Sequence, residues 1–130
     1  MHIQLEAHET HTIQSYSETE VTINHVAYQT SFILNHNTLI TPWDITHPTE
    51  LNQTRLEPLL ALAPEIIILG VQAPQKLLQL DTIQNLRAQR IGVECLNVGA
   101  ACRTFNLLLG EQRTVALGMI LNSSSLHPRV

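Results

Sequence analysis

Ile66-Ile67-Ile68-Leu69 is an unbroken apolar run that ends at Gly70. A strand with one wet face alternates apolar and polar residues, so a continuous run marks a strand covered on both faces. Parallel strands cannot be joined by tight turns and need crossovers, usually helical. The flanking sequence supplies them. Thr54-Arg55-Leu56-Glu57 reads as a capping box, with Leu56, Leu59, Leu60 and Ala63 forming an apolar stripe and Pro64 as the stop. Pro58 is compatible with that helix only near its start. Asp81-Thr82-Ile83-Gln84 opens a second helix to about Gln89, followed by a strand over Ile91–Leu96. A third helix over residues 101–109 and a last strand over Arg113–Leu121 complete the alternation. Two strand–helix–strand units predict a parallel sheet with right-handed crossovers, and ligands of such sheets gather beyond the strand carboxyl ends.

Up to residue 42 the pattern is β only. Thr10–Ser15 places Ile13 inward, and Glu20–His25 puts Val21 and Ile23 on one face. Ser31–Asn35 and Thr38–Thr41 are joined by an Asn35-His36-Asn37 turn. These short strands predict a meander over 1–42 lying against an alternating helix/strand region over 43–121. Residues 122–130 carry no pattern and read as a flexible tail. Trp43 lines a pocket or, more simply, packs in the core or at an edge. The expectation is one domain of 130 residues, a length that supports a core without staples.

A chain 44% hydrophobic and 14% charged has the composition of a globular protein. Its net charge of −4 is uneven. Glu6, Glu9, Glu18, Glu20, Asp44, Glu50 and Glu57 face Arg55 alone in the first half, while most bases lie in the second. No basic run offers a nucleic-acid footprint, and the acidic half would repel phosphate, so nucleic acid is not an expected partner. Cys95 and Cys102 are not in a C-x-x-C arrangement and suit free thiols in a reducing compartment. The sequence from Met1 shows no secretory pattern and no apolar stretch long enough to span a bilayer, which leads to a soluble, cytoplasmic expectation without membrane insertion.

Gly99-Ala100-Ala101-Cys102-Arg103-Thr104-Phe105-Asn106 is the stretch with the most chemistry, at the expected start of the third helix. Helix N-termini favour anions and thiolates, and small residues let backbone N–H groups approach a ligand. Arg103, in what reads as the first turn, works against the helix dipole, a cost that a bound anion or a structural partner would offset. The candidate rim is Gly70, Gly99, Ala101, Cys102, Arg103, Thr104 and Asn106, with Arg103 as the anion-holding fork. The competing reading pairs Arg103 with an internal carboxylate such as Glu94 or Asp44 and uses Asn106 as a loop cap. Cys102 is either reactive at the helix start or an inert buried thiol, and no histidine is close in sequence to serve as its base. His2, His8, His11, His25, His36, His47 and His127 are scattered without metal-ligand spacing. No nucleophile elbow or dinucleotide fingerprint is present. Neither a metal, a cofactor nor a catalytic residue is therefore expected.

Ile68-Leu69-Gly70, Ile91-Gly92-Val93-Glu94, Gly99-Ala100-Ala101-Cys102-Arg103-Thr104-Phe105-Asn106, Glu111-Gln112-Arg113-Thr114-Val115-Ala116 and Thr41-Pro42-Trp43 together resemble domain-of-unknown-function family 498 over nearly the whole chain. That family is related to the mitochondrial assembly factor 3 of respiratory complex I, NADH:ubiquinone oxidoreductase. The resemblance implies a three-layer α/β domain: a mixed central sheet, helices on one side, a β-meander on the other, and room for an antiparallel last strand. It implies action by protein binding, without an established enzymatic activity. Gln72 stands where the family usually has a second glycine, and Asn97 where it usually has an acid.

The residues thus support a non-enzymatic, protein-binding or assembly-factor-like domain. The alternative is a small-molecule, anion-binding domain or minor enzyme with its site around Arg103. A third possibility is a scaffold whose meander edge pairs with a copy of itself as a homodimer.

Overall fold

The computed structural model describes residues 10–73 and 80–121, and the proposed tail over 122–130 lies outside the described residues. Its elements are β1 (Ile13–Tyr16), β2 (Val21–Ile23), β3 (Val26–Tyr28), β4 (Phe32–Leu34), β5 (Leu39–Ile40), α1 (Gln53–Leu60), β6 (Ile66–Val71), α2 (Leu80–Ala88), β7 (Gly92–Asn97), α3 (Val98–Gly110) and β8 (Val115–Met119). The architecture is α/β: a five-stranded mixed sheet ordered β5-β4-β8-β6-β7 and a three-stranded antiparallel meander, β1-β2-β3.

The apolar run behaves as its composition dictates. Ile67, Ile68, Leu69 and Val71 of β6 are fully buried. Ile66 and Ile68 face one core cluster, Ile67, Leu69 and Val71 the other. β6 pairs in parallel with both β7 and β8. The last strand is therefore parallel to its central neighbour, and antiparallel only to β4 on its other side. Chain direction explains the layers. β6→β7 steps one way across the sheet and β7→β8 steps back past β6. Right-handed crossovers then send α2 and α3 to opposite faces. Leu56 and Leu59 of α1 and Leu86 of α2 join the cluster containing Ile67 and Leu69. Ala101, Cys102 and Phe105 of α3 join Ile13, Val21 and Ile23 of the meander on the other face. The meander layer thus contains a helix.

The meander is shorter than residues 1–42. Phe32, Ile33 and Leu34 are all buried, the two-faced burial of an interior strand, and β4 and β5 sit in the central sheet. Glu20–His25 is not one strand either. Asn24 and His25 adopt positive φ of 46° and 75° as the hairpin turn, and β3 follows.

Helix starts moved as well. α1 is capped by Asn52, whose Oδ1 accepts from Arg55 N–H at 2.8 Å, rather than by Thr54. Asn is the stronger N-cap. Pro58 consequently lies inside the helix, near its end. Asp81 lies in the first turn of α2, favourable to the dipole. Trp43 is core: buried, with its indole Nε1–H donating to Arg55 C=O at 3.2 Å. Its ring lies over Gly118, where a Cβ would come within 2.8 Å of it.

Candidate functional site

β6 and β7 run in register, with Gly70 opposite Leu96 and Val71 opposite Asn97. Their exits lie side by side, and because α2 and α3 depart to opposite faces the exits splay. The resulting cleft of about 350 Å³ is lined by Gln72 after β6, by Asn97, Val98 and Gly99 after β7, and by Tyr16, Ser17 and Glu18 from the β1–β2 turn. This is where ligands of open α/β sheets gather.

Strand β7 runs into α3 with no spacer. Asn97 ends the strand and caps the helix, its Oδ1 accepting from Ala100 N–H at 2.8 Å. The helix accordingly starts at Val98, and Arg103 lies in its second turn instead of its first. The dipole penalty expected for Arg103 is reduced by that displacement, because the effect fades beyond the first turn.

The candidate rim residues divide by what they touch. Gly70 is buried and does not line the cleft. A Cβ there would lie 2.6 Å from the Met119 sulfur and 2.9 Å from Ala101 Cβ, so this glycine lets α3 press against β6. Ala101 is fully buried in the same contact. Gly99 lies under the Tyr16 ring, which a Cβ would approach to 2.9 Å. Cys102 is fully buried, and burial pushes its thiol up to about 12 despite the neighbouring Arg103. At that value the thiolate is scarce at neutral pH. Burial, with Glu94 second, also raises the half-buried Cys95. Thr104 is half-buried on α3. Asn106 clamps the meander: Nδ2 donates to Ile13 C=O at 2.9 Å and Oδ1 accepts from Ile13 N–H at 3.2 Å.

Arg103 is exposed. Its Nη1 donates to the Tyr16 hydroxyl at 2.6 Å, with the guanidinium carbon 6.0 Å from the ring centroid. Neither Glu94 nor Asp44 pairs with it; among the described residues the ion pair is Arg113–Glu65 at 3.3 Å. Arg103 reaches the cleft through Tyr16, which lines it, and is not itself a lining residue. Sequence reasoning missed Tyr16, Ser17 and Glu18, which arrive from a turn more than eighty residues away. Gln72, whose Nε2 donates to Glu18 C=O at 3.4 Å, and Asn97 stood out as departures from the family pattern, and both line the cleft. Among the described residues, no group of three or more His, Cys, Asp or Glu side chains could hold a metal ion.

The mixed sheet, its antiparallel extension and the meander docked by α3 define an α/β domain of the Mth938-like type. A Xanthomonas campestris protein solved by NMR superposes with a TM-score of 0.79 at 31% identity, over 87% of this chain and 86% of that one. A Bordetella parapertussis crystal structure gives 0.80 at 26% identity, over 88% and 98%. A Bordetella pertussis Mth938-like domain, 21% identical with a TM-score of 0.76 over 89% of each chain, shares the fold. The family described as protein of unknown function (DUF498/DUF598) matches residues 13–120, and the chain belongs to it.

Among curated relatives, NADH dehydrogenase [ubiquinone] 1 alpha subcomplex assembly factor 3 of Drosophila melanogaster is 34% identical over 82 residues, 60% of this chain but 42% of the fly protein. Its Danio rerio counterpart is 27% identical over 124 residues, 84% of this chain and 71% of the fish protein. A 13 kDa major membrane protein of Francisella tularensis is 33% identical over 66 residues, about half of each chain. No helix among the described residues is long and apolar enough to cross a membrane.

Proposed function

We propose that this chain is a non-enzymatic protein-binding domain that assists assembly of a respiratory complex, in the manner the names of its fly and fish relatives describe. One observation carries the reading. The Gly99–Asn106 stretch is spent on internal joints: Gly99 under Tyr16, Ala101 against Gly70, Cys102 in the core, Asn106 on the Ile13 backbone. What α3 leaves outside is a partner-facing surface, with Arg103 exposed and Leu107 62% exposed one turn on. Free Cys95 and Cys102 support a reducing compartment, and we place the protein in the cytoplasm. The test is a host strain lacking the chain. Assembled NADH:ubiquinone oxidoreductase, measured on native gels, falls and is restored by the wild-type gene. Unchanged assembly, with no specific partner in pull-downs, contradicts the proposal.

A second reading is favoured by the cleft itself. Its volume suits a small molecule, and Arg103, bonded to the cleft-lining Tyr16, brings a guanidinium suited to a carboxylate or phosphate close to it. Gly99 and Arg103 carry this reading, whereas Gly70 and Ala101 support the wall from behind. A thermal-shift screen against phosphates and carboxylates tests it. A ligand that raises the melting temperature of the wild type but not of Arg103→Ala supports a site, and no shift from any anion removes it.

A further inference from the structure

The geometry points to β7 as a strand-pairing surface whose partner is a second copy of this chain. Among the described residues β7 closes the central sheet on one side, with its ladder to β6. In a parallel pair alternate residues turn their backbone groups to the neighbour. Gly92 N–H donates to Glu65 C=O at 2.9 Å, which sets the phase: Gly92, Glu94 and Leu96 face β6. The backbones of Val93, Cys95 and Asn97 therefore face outward, and no strand among the described residues takes them.

The other edges are poorer. β5 has two residues, β3 has three, and the β1 backbone at Ile13 is occupied by Asn106. β7 has six and lacks the usual defences, since Gly92-Val93-Glu94-Cys95-Leu96-Asn97 contains no proline or lysine and one charge. Val93, Cys95 and Leu96 are half-buried and gain cover from a neighbouring strand.

The charge pattern selects the register. Antiparallel pairing centred on Cys95 lets each Cys95 N–H donate to the other Cys95 C=O, and each Asn97 N–H donate to the other copy's Val93 C=O. Glu94 then sits opposite Leu96. Sliding by two residues to centre on Glu94 sets two carboxylates face to face, which is destabilising. Sliding the other way leaves one donated bond per copy, Asn97 N–H to Cys95 C=O, instead of two, because Asn97 C=O at the N-cap faces α3 and accepts from the partner strand in neither register. The Cys95-centred register is thus self-complementary, with a twofold axis perpendicular to the sheet that carries the sheet through both copies.

Sedimentation over a wide concentration range, combined with residue-resolved amide exchange on the wild-type chain, tests this. Where about nine in ten chains are paired, exchange at Cys95 and Asn97 slows by about tenfold relative to dilute protein, because opening must pass through the monomer. Gly92, Glu94 and Leu96 amides, already bonded to β6, are protected at every concentration. Cys95→Pro removes an outward N–H that an edge strand does not need. It is expected to remain monomeric with cooperative unfolding, and if it does not fold the wild-type exchange still decides. A monomer at millimolar concentration, or a dimer in which the Cys95 and Asn97 amides exchange as fast as in dilute protein, overturns the proposal.

Discussion

Asn106 grips Ile13 by both of its backbone groups, donating from Nδ2 to the carbonyl at 2.9 Å and accepting the N–H on Oδ1 at 3.2 Å. Ninety-three positions separate the two residues, so a single amide side chain on α3 finishes the edge of the meander and ties two layers together.

Asn106→Leu keeps the volume and leaves both Ile13 groups without a protein partner in a partly buried site. Each unsatisfied group costs about 1–3 kcal/mol when buried, so a loss of roughly 2 kcal/mol is expected. Asn106→Asp keeps the acceptor and loses the donor, and should fall between Leu and wild type. Urea unfolding with an unchanged m-value checks both.

Gly70 and Gly99 are expected to respond differently to alanine. At Gly70 the added methyl meets the Met119 sulfur and Ala101 in the sealed core, for a cost on the order of 1–3 kcal/mol. At Gly99 it meets the exposed Tyr16 ring and the Arg103 guanidinium, both free to swing into solvent. Gly99→Ala should change stability by less than about 1 kcal/mol. It should also shift the Tyr16 ring resonances in NMR spectra.

Three helix ends place non-glycine residues in the left-handed region: Ala63 at φ 54°, Arg90 at 63° and Gln112 at 62°. After α2 and α3 the next amides bond five residues back, Ile91 N–H to Leu86 C=O and Arg113 N–H to Leu108 C=O, both at 3.0 Å. A side chain there costs about 1–2 kcal/mol relative to right-handed backbone, of which glycine returns part as unfolded-state entropy. Arg90→Gly and Gln112→Gly should each stabilise by about 0.5–1 kcal/mol in thermal unfolding.

These helix ends show why parts of the fold were legible and others not. The run Ile66–Leu69 announced a central strand because burial on both faces is a local property of composition. Helix stops carried by Arg90 and Gln112 lacked the glycine that usually advertises them. The start of α3 was read late because Asn97 serves two elements at once, leaving no loop between strand and helix. Phe32–Leu34 was legible as β, but its place beside β8 depends on a partner eighty-odd positions away. The same holds for the site. Gly99 and Arg103 were singled out, yet Tyr16, which tells what they do, is 87 positions from Arg103.

Glu65 connects stability to pH. Its carboxylate accepts from Thr114 N–H at 2.9 Å, the main cause of a value below the ordinary 4.5, with Arg113 adding attraction. A carboxyl lowered in the folded state contributes stability that is complete above the unfolded value and is lost as pH falls through the folded one. Glu50, lowered chiefly by the Thr46 N–H bond and then by that of His47, acts in the same direction. Stability should therefore decline as pH drops below about 4.5. The slope should be shallower in Glu65→Gln, measured by urea midpoints across the acid range.

The central claim is that the Gly99–Asn106 stretch is a joint whose outer side meets a protein partner, so the decisive measurement compares rescue of complex assembly by two variants in cells lacking the chain. Cys102→Ala, which removes the buried thiol, should restore assembly to within about twofold once its stability loss of about 1 kcal/mol is allowed for. Arg103→Glu combined with Leu107→Asp, folded to the wild-type melting temperature, should fail. Failure of Cys102→Ala at full expression and fold, with full rescue by the outer-face variant, would contradict the account.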